Sequence, residues 1–185
     1  MVEWQLRARG IEDGRVLDAM ATVPRERFVP PEWRRRAYDD AALPIGADQT
    51  ISQPYMVARI CAELQLRGGE TVLDVGTGSG YQAAVLAERA RETLDDLGYA
   101  GRVHVHVTDG TLGWPEGAPY GGIAVAAATR RPPPALLEQL EPRGRLVIPI
   151  GPPHQQFLRV YVQTPEGPAE FAAVPCRFVP LVSGS

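Results

Sequence analysis

The residues whose types and spacing could do chemistry lie in two short stretches. The first is Asp74-Val75-Gly76-Thr77-Gly78-Ser79-Gly80, an acid two residues ahead of three alternating glycines. Glycine lets the backbone adopt turns closed to other residues and come close to a ligand. A helix starting after such a turn offers unpaired amides to an anionic group. The spacing is neither the G-x-G-x-x-G of a dinucleotide site nor a P-loop, which needs Gly-Lys-Ser/Thr. The second stretch is Gln49-Thr50-Ile51-Ser52-Gln53-Pro54, which gathers four neutral hydrogen-bonding side chains. Pro54 suits a first helical turn, and the spacing by itself favours Ser52 as the cap of that helix.

Other chemistry has less to work with. His104 and His106 would share one strand face, but a third ligand would have to be distant His154, so no metal site is expected. Cys61 and Cys176 form no C-x-x-C pair and read as small core residues, not nucleophiles. No Cys/His or Ser/His/Asp constellation stands out. A net charge of −3 leaves no basic footprint for nucleic acid. Arg34, Arg35 and Arg36 read as a solvated face that could also attract an acidic substrate. No apolar run spans a membrane and no signal pattern opens the chain, so a cytoplasmic protein without membrane contact is expected.

The elements that must position the two stretches follow from periodicity. Val16, Leu17, Met20 and Val23 recur at helical spacing over 11–23, and the prolines of Arg25 to Pro31 stop that helix. The segment 41–53 reads as a loop feeding a helix over 55–64. The β-branched run 71–75 reads as a buried parallel strand, and a helix pattern over 82–97 follows the glycines. Strands are expected over 102–107, 122–127 and 145–150, with a helix over 135–140. Two more strands, 156–163 and 169–175, flank the turn Thr164-Pro165-Glu166-Gly167. The expected fold is α/β: a Rossmann-like, doubly wound, mostly parallel sheet with an antiparallel C-terminal hairpin and an N-terminal helical cap. No repeat or long linker divides the chain. One domain is expected over 1–185, with 1–66 as cap and substrate loop and 67–185 as the cofactor-binding sheet.

Asp74 to Gly80 resembles motif I of the class I methyltransferases that bind S-adenosylmethionine. Over nearly its whole length the chain resembles the protein-L-isoaspartate O-methyltransferases. Three pieces carry the likeness in order. They are Val16-Leu17-Asp18-Ala19-Met20 through Val23-Pro24-Arg25-Glu26-Arg27-Phe28-Val29-Pro30, then Leu43-Pro44-Ile45-Gly46 through Gln49-Thr50-Ile51-Ser52-Gln53-Pro54-Tyr55-Met56, then Val72 to Gln82. Asp109-Gly110-Thr111-Leu112-Gly113-Trp114 and Phe178-Val179-Pro180-Leu181 are similar to later signatures of the family.

The resemblance implies transfer of a methyl group from S-adenosylmethionine to the free carboxylate of L-isoaspartyl residues in damaged proteins. It implies that Ser52 takes the catalytic place, with Thr50, Ile51 and Gln53 shaping the substrate pocket. Asp74, Gly76, Thr77, Gly78, Ser79 and Gly80 would hold the methionine part of the cofactor, and Asp109 and Gly110 its adenine. The partners would be isoaspartyl-containing proteins and peptides, met by a monomer. The chain also departs from the family. Ala87-Glu88-Arg89-Ala90 looks like a splice that removes the second strand and its acidic ribose ligand, for which Asp95 and Asp96, inside a helical pattern, are no substitute. Gly121 stands where the family commonly has an acid. These departures leave an alternative: a catalytically degenerate relative that binds isoaspartyl protein without methyl transfer. A nicotinamide oxidoreductase is disfavoured by the glycine spacing.

Overall fold

A computed structural model describes residues 1–87, 104, 106 and 108–182 of the 185-residue chain. It divides into two compact units, Met1–Ala62 with Thr77–His104, and Glu63–Gly76 with Val105–Ser185.

In the first unit, helix α1 is Gly14–Thr22. Asp13 caps it by accepting from the amides of Arg15 and Val16 at 3.0 and 3.3 Å, which satisfies two donors that the helix itself cannot. Val16, Leu17, Ala19 and Met20 form its buried stripe. The helix stops at Val23, which is extended, as a residue before proline tends to be. Arg34, Arg35 and Arg36 lie exposed on the short helical turns of Pro31–Arg36, and Arg36 pairs with Asp39 at 2.7 Å.

The segment expected as a loop holds a small antiparallel hairpin instead, β1 (Leu43–Gly46) against β2 (Gln49–Ile51). Buried Leu43 faces buried Ile51. The turn is Ala47-Asp48, both left-handed at φ 49° and 55°. That geometry matches the twist of the flanking strands, but glycine or asparagine usually supplies it, and so the pair did not signal a hairpin. Helix α2 (Pro54–Glu63) follows. The Gln53 carbonyl accepts from the amides of Met56 and Val57 at 3.0 and 3.2 Å, so Gln53 holds the cap position and Pro54 is the first helical residue. After the glycines, helix α3 is described over 81–87. The rest of the expected helix to 97, and the expected strand over 102–107 apart from His104 and His106, lie outside the described residues.

The second unit is a five-stranded sheet in chain order: β3 (Val72–Val75), β4 (Tyr120–Val125), β5 (Leu140–Ile150), β6 (Gln156–Thr164) and β7 (Gly167–Cys176). The β3/β4 and β4/β5 pairs are parallel, and β5/β6 and β6/β7 antiparallel. The β4 strand is buried at every position, the pattern of a parallel strand inside a sheet, whereas Val72, Leu73 and Asp74 of β3 are only half-buried. Helix α4 (Pro134–Glu138) is shorter than expected, because Leu140 already pairs with Tyr120 and opens β5. A register shift lets β5 begin before Arg145, with Arg143 left-handed at φ 69°. The core packs Val75, Ile123, Val125, Leu136, Leu146 and Ile148.

Gly121 has a packing reason. A Cβ there would lie 2.7 Å from Cβ and Cγ of Glu70 and 3.0 Å from a carboxylate oxygen of Glu141. Any side chain at this position requires Glu70 to shift, and an acid would stand between two others. Glu70 in turn accepts from the amides of Arg67 and Gly68 at 2.7 Å each.

Candidate functional site

Two groups of sequence-expected residues can be placed, one in each unit. In the sheet unit, Asp74 lies in β3 opposite Ala124, and Gly76 leaves the strand with φ 79°. A Cβ on Gly76 would meet Ala126 and Ala127 at 3.7 Å and beyond, in ordinary contact. Its glycine is therefore demanded by the backbone angle, not by crowding. Gly110 is the reverse case. Its missing Cβ would stand 2.7 Å from Cγ1 of Val75, so Gly110 lets its segment press against the carboxyl end of β3. The fold thereby brings Asp109-Gly110 beside Val75-Gly76, at the strand end where α/β sheets bind ligands. Asp109 is held locally, since Oδ1 accepts from the Thr111 amide at 2.8 Å and its hydroxyl at 2.7 Å.

Sequence reasoning missed Gln139, which positions this segment. Its Oε1 accepts from the Trp114 amide at 2.9 Å and its Nε2 donates to the Leu112 carbonyl at 2.8 Å. The Tyr120 hydroxyl adds a bond to the Trp114 carbonyl at 2.7 Å, and burial pushes its pKa up. Exposed His106 stacks on Trp114 with ring centroids 3.8 Å apart. Among the described residues no group of acids, histidines and cysteines is arranged to hold a metal ion. Cys61 is buried in α2, while Cys176 ends β7 half-buried and is not the core residue expected. Burial pushes the Cys176 thiol up to about 11, which leaves it protonated near neutral pH.

In the first unit, Gly78 and Gly80 have φ 50° and 84°, and nothing lies within 4 Å of a Cβ built on Gly80. The turn closes with the Gly80 amide on the Thr77 carbonyl at 2.8 Å, and Ala84 then bonds Gly80 at 2.9 Å to start α3. Open backbone, positive φ and a helix N-terminus suit the carboxylate-bearing methionine part of S-adenosylmethionine. The residues present fit that group. The ribose acid has no counterpart among the described residues that sequence could name, since Asp95 and Asp96 lie outside them.

The same unit carries the Ser52 loop. Among the described residues no hydrogen bond engages the Ser52 hydroxyl, and Gln53, not Ser52, caps α2. Thr50 is exposed on β2, Ile51 is buried against Leu43, and the Gln53 side-chain Nε2 donates to the Asp40 carbonyl at 3.1 Å. The Ser52 carbonyl accepts from Nη2 of Arg25 at 2.8 Å. Arg25 was also missed, because its Arg-Glu-Arg context reads as surface, yet it is fully buried. Its guanidinium lies over the Tyr81 ring at 4.8 Å. Desolvation lowers the Arg25 pKa and raises that of Tyr81, so the phenol stays neutral and the cation is not cancelled.

A parallel strand that runs into a three-glycine turn and a helix, with an uncommitted serine on a separate loop, has the parts of a cofactor-dependent transferase. A model of the family described as protein-L-isoaspartate(D-aspartate) O-methyltransferase (PCMT) matches residues 1–93 and, separately, 86–185. Protein-L-isoaspartate O-methyltransferase 2 of Anaeromyxobacter sp. is 53% identical over 201 residues, covering 100% of this chain and 82% of the relative. The Gloeobacter violaceus protein-L-isoaspartate O-methyltransferase is 48% identical, covering 98% and 96%. A solved protein-L-isoaspartate O-methyltransferase superposes with TM-score 0.78 at 26% identity, over 100% of this chain and 66% of that one. A Plasmodium falciparum structure in complex with S-adenosyl-L-homocysteine shares the fold at TM-score 0.78 and 22% identity, covering 99% and 97%. The chain belongs to the protein-L-isoaspartate O-methyltransferase family. The two family matches meet at 86–93, where the sequence reading places the splice. The alignment with the Anaeromyxobacter relative runs to 201 positions against 185 residues here, leaving at least 16 without a counterpart.

Proposed function

We propose that this protein methylates the free carboxylate of L-isoaspartyl residues in other proteins, using S-adenosylmethionine, as a protein-repair enzyme. The observation that carries the reading is Ser52, a hydroxyl on the substrate loop that neither caps the following helix nor bonds to any described residue.

Bound S-adenosylmethionine supplies a methyl group on a positively charged sulfur. The acceptor is a carboxyl group with a reference pKa of roughly 3.3 to 4.3, so it is already an anion near neutral pH. Toward the methyl group that the bound cofactor would supply, such a carboxylate would be a ready nucleophile with no proton to give up. No general base is required, which agrees with a loop made of neutral hydrogen-bonding groups. Ser52 would donate to one carboxylate oxygen and orient it without neutralising it. Thr50 and Gln53 would contact the substrate by side chain, and buried Ile51 by holding β2 in place. Asp74, Thr77 and Ser79, with the backbone of Gly76, Gly78 and Gly80, would hold the methionine part, and Asp109 and Gly110 the adenine.

The enzyme is further proposed to be a cytoplasmic monomer that acts without nucleic acid or membrane. The net charge of −3 gives no basic footprint for nucleic acid, and no helix among the described residues is long and apolar enough to cross a membrane. The test is transfer of a labelled methyl group to an isoaspartyl peptide, with the matching aspartyl peptide as control. Transfer to the first alone is expected. Binding of the isoaspartyl peptide with no transfer would instead select the degenerate relative.

A further inference from the structure

Arg25 is the largest fully buried side chain among the described residues, at 0% exposure, and a cation. Among the described residues no carboxylate lies in ion-pair range of it. Its Nε donates to the Ala37 carbonyl at 2.7 Å and its Nη2 to the Ser52 carbonyl at 2.8 Å. Buried Nη1 has no hydrogen-bond partner among the described residues. The flat guanidinium is backed by Tyr81, the first residue of α3, whose ring is itself fixed by Phe28 at 5.5 Å edge-on and by a hydroxyl bond to the Met20 sulfur at 3.6 Å.

Burying a cation without a counter-ion is unfavourable, and an apolar side chain of similar volume would fill the same space with less desolvation. What such a side chain could not do is donate in two directions from one rigid plane. One of those bonds ends on the backbone of the residue read here as the carboxylate holder. Turning the Ser52 carbonyl inward fixes the peptide plane between Ser52 and Gln53, and with it the direction of the Ser52 side chain. The other bond ties the same plane to Ala37, itself fully buried.

We propose that Arg25 is a positioning residue for methyl transfer: by bridging the carbonyls of Ala37 and Ser52 against the Tyr81 ring, it sets the orientation in which the Ser52 hydroxyl meets the substrate carboxylate. The inference rests on the proposed reading of Ser52. Arg25 touches no substrate and acts only through that loop.

The experiment is a double-mutant cycle on the full chain, with Arg25→Lys and Ser52→Ala singly and combined. Each protein is assayed for methyl transfer to the isoaspartyl peptide. Each is also titrated with that peptide by calorimetry in the presence of S-adenosylhomocysteine, and with S-adenosylmethionine alone. Lysine keeps the charge but cannot reach both carbonyls from one plane. Arg25→Lys is expected to lower kcat/KM and peptide affinity on the order of tenfold, to leave S-adenosylmethionine affinity within about twofold, and to cost almost nothing further once Ser52 is alanine. The same fold-loss in both backgrounds would overturn the proposal, as would a parallel fall in cofactor affinity. If Arg25→Lys does not give folded protein, Arg25→Gln enters the same cycle with the same expected non-additivity. Should neither variant fold, Arg25 is a determinant of the fold and the proposal fails. A wild-type protein that binds cofactor and transfers no methyl would remove the reading of Ser52 and this inference with it. An active wild type with an additive cycle would remove this inference alone.

Discussion

Replacing Ser52 by alanine separates a ligand-binding hydroxyl from a capping one, because the two roles cost energy in different states. A serine that caps a helix is worth typically about 1 kcal/mol of stability when replaced by alanine. Here the cap position belongs to Gln53, whose carbonyl receives the Met56 and Val57 amides, and Pro54 has no amide to be capped. The hydroxyl has no bond to lose among the described residues, so Ser52→Ala should change folding stability by less than about 0.5 kcal/mol, the range of an uninvolved substitution. The complex with substrate is another matter. A hydrogen bond to a charged group contributes about 1.5–3 kcal/mol, which is a fall in kcat/KM on the order of ten- to a hundredfold. The checks are steady-state transfer to an isoaspartyl peptide, calorimetry with S-adenosylmethionine, and a thermal melt of both proteins. A melt lowered by a cap-sized amount with kcat/KM unchanged would refute the reasoning. So would a collapse of cofactor affinity with turnover preserved at saturation.

Gly78→Val should abolish S-adenosylmethionine binding measured by calorimetry, because a branched side chain at φ 50° is strained and fills the side from which backbone meets ligand, while the circular dichroism spectrum stays native. Asp109→Ala should weaken cofactor binding and loosen its own turn, since it removes the acceptor of two bonds from Thr111; unchanged affinity in a folded variant would take Asp109 out of the adenine site. Gly121→Asp, which restores the acid common in the family, should destabilise by about 1–3 kcal/mol in urea melts, as overpacking does, with repulsion added by Glu70 and Glu141. A neutral or stabilising outcome there would mean that Glu70 can move aside.

Much of the sheet was legible in the chain. Period and turn signals are local, so β4, β6, β7 and the glycine turn could be recognised from residues within a few positions of one another. The turn at Pro165-Glu166 is a case where composition and structure coincide. Elements whose extent depends on a distant partner were less well bounded. The β5 strand starts at Leu140 because Tyr120, twenty residues earlier, pairs with it, and β1/β2 forms without a strong turn signal because Leu43 and Ile51 are both buried.

By itself, then, the order of residues determined the family and the fold class, and it singled out the serine, acid and glycines proposed for the site, since each rests on residue type at short spacing. Tertiary structure decided what those residues are free to do. That Ser52 is not a cap follows from where the α2 amides find their acceptor. That Gly110 is crowded follows from Val75 standing against it, and that an acid at Gly121 is unfavourable follows from Glu70 and Glu141. Arg25 looks like one surface charge among several in the sequence and is fully buried in the structure, because its burial depends on Ala37, Ser52 and Tyr81, which are 12 to 56 positions away along the chain. Local pattern carries information on what a segment becomes; the satisfaction of a buried polar group depends on partners that only folding brings together.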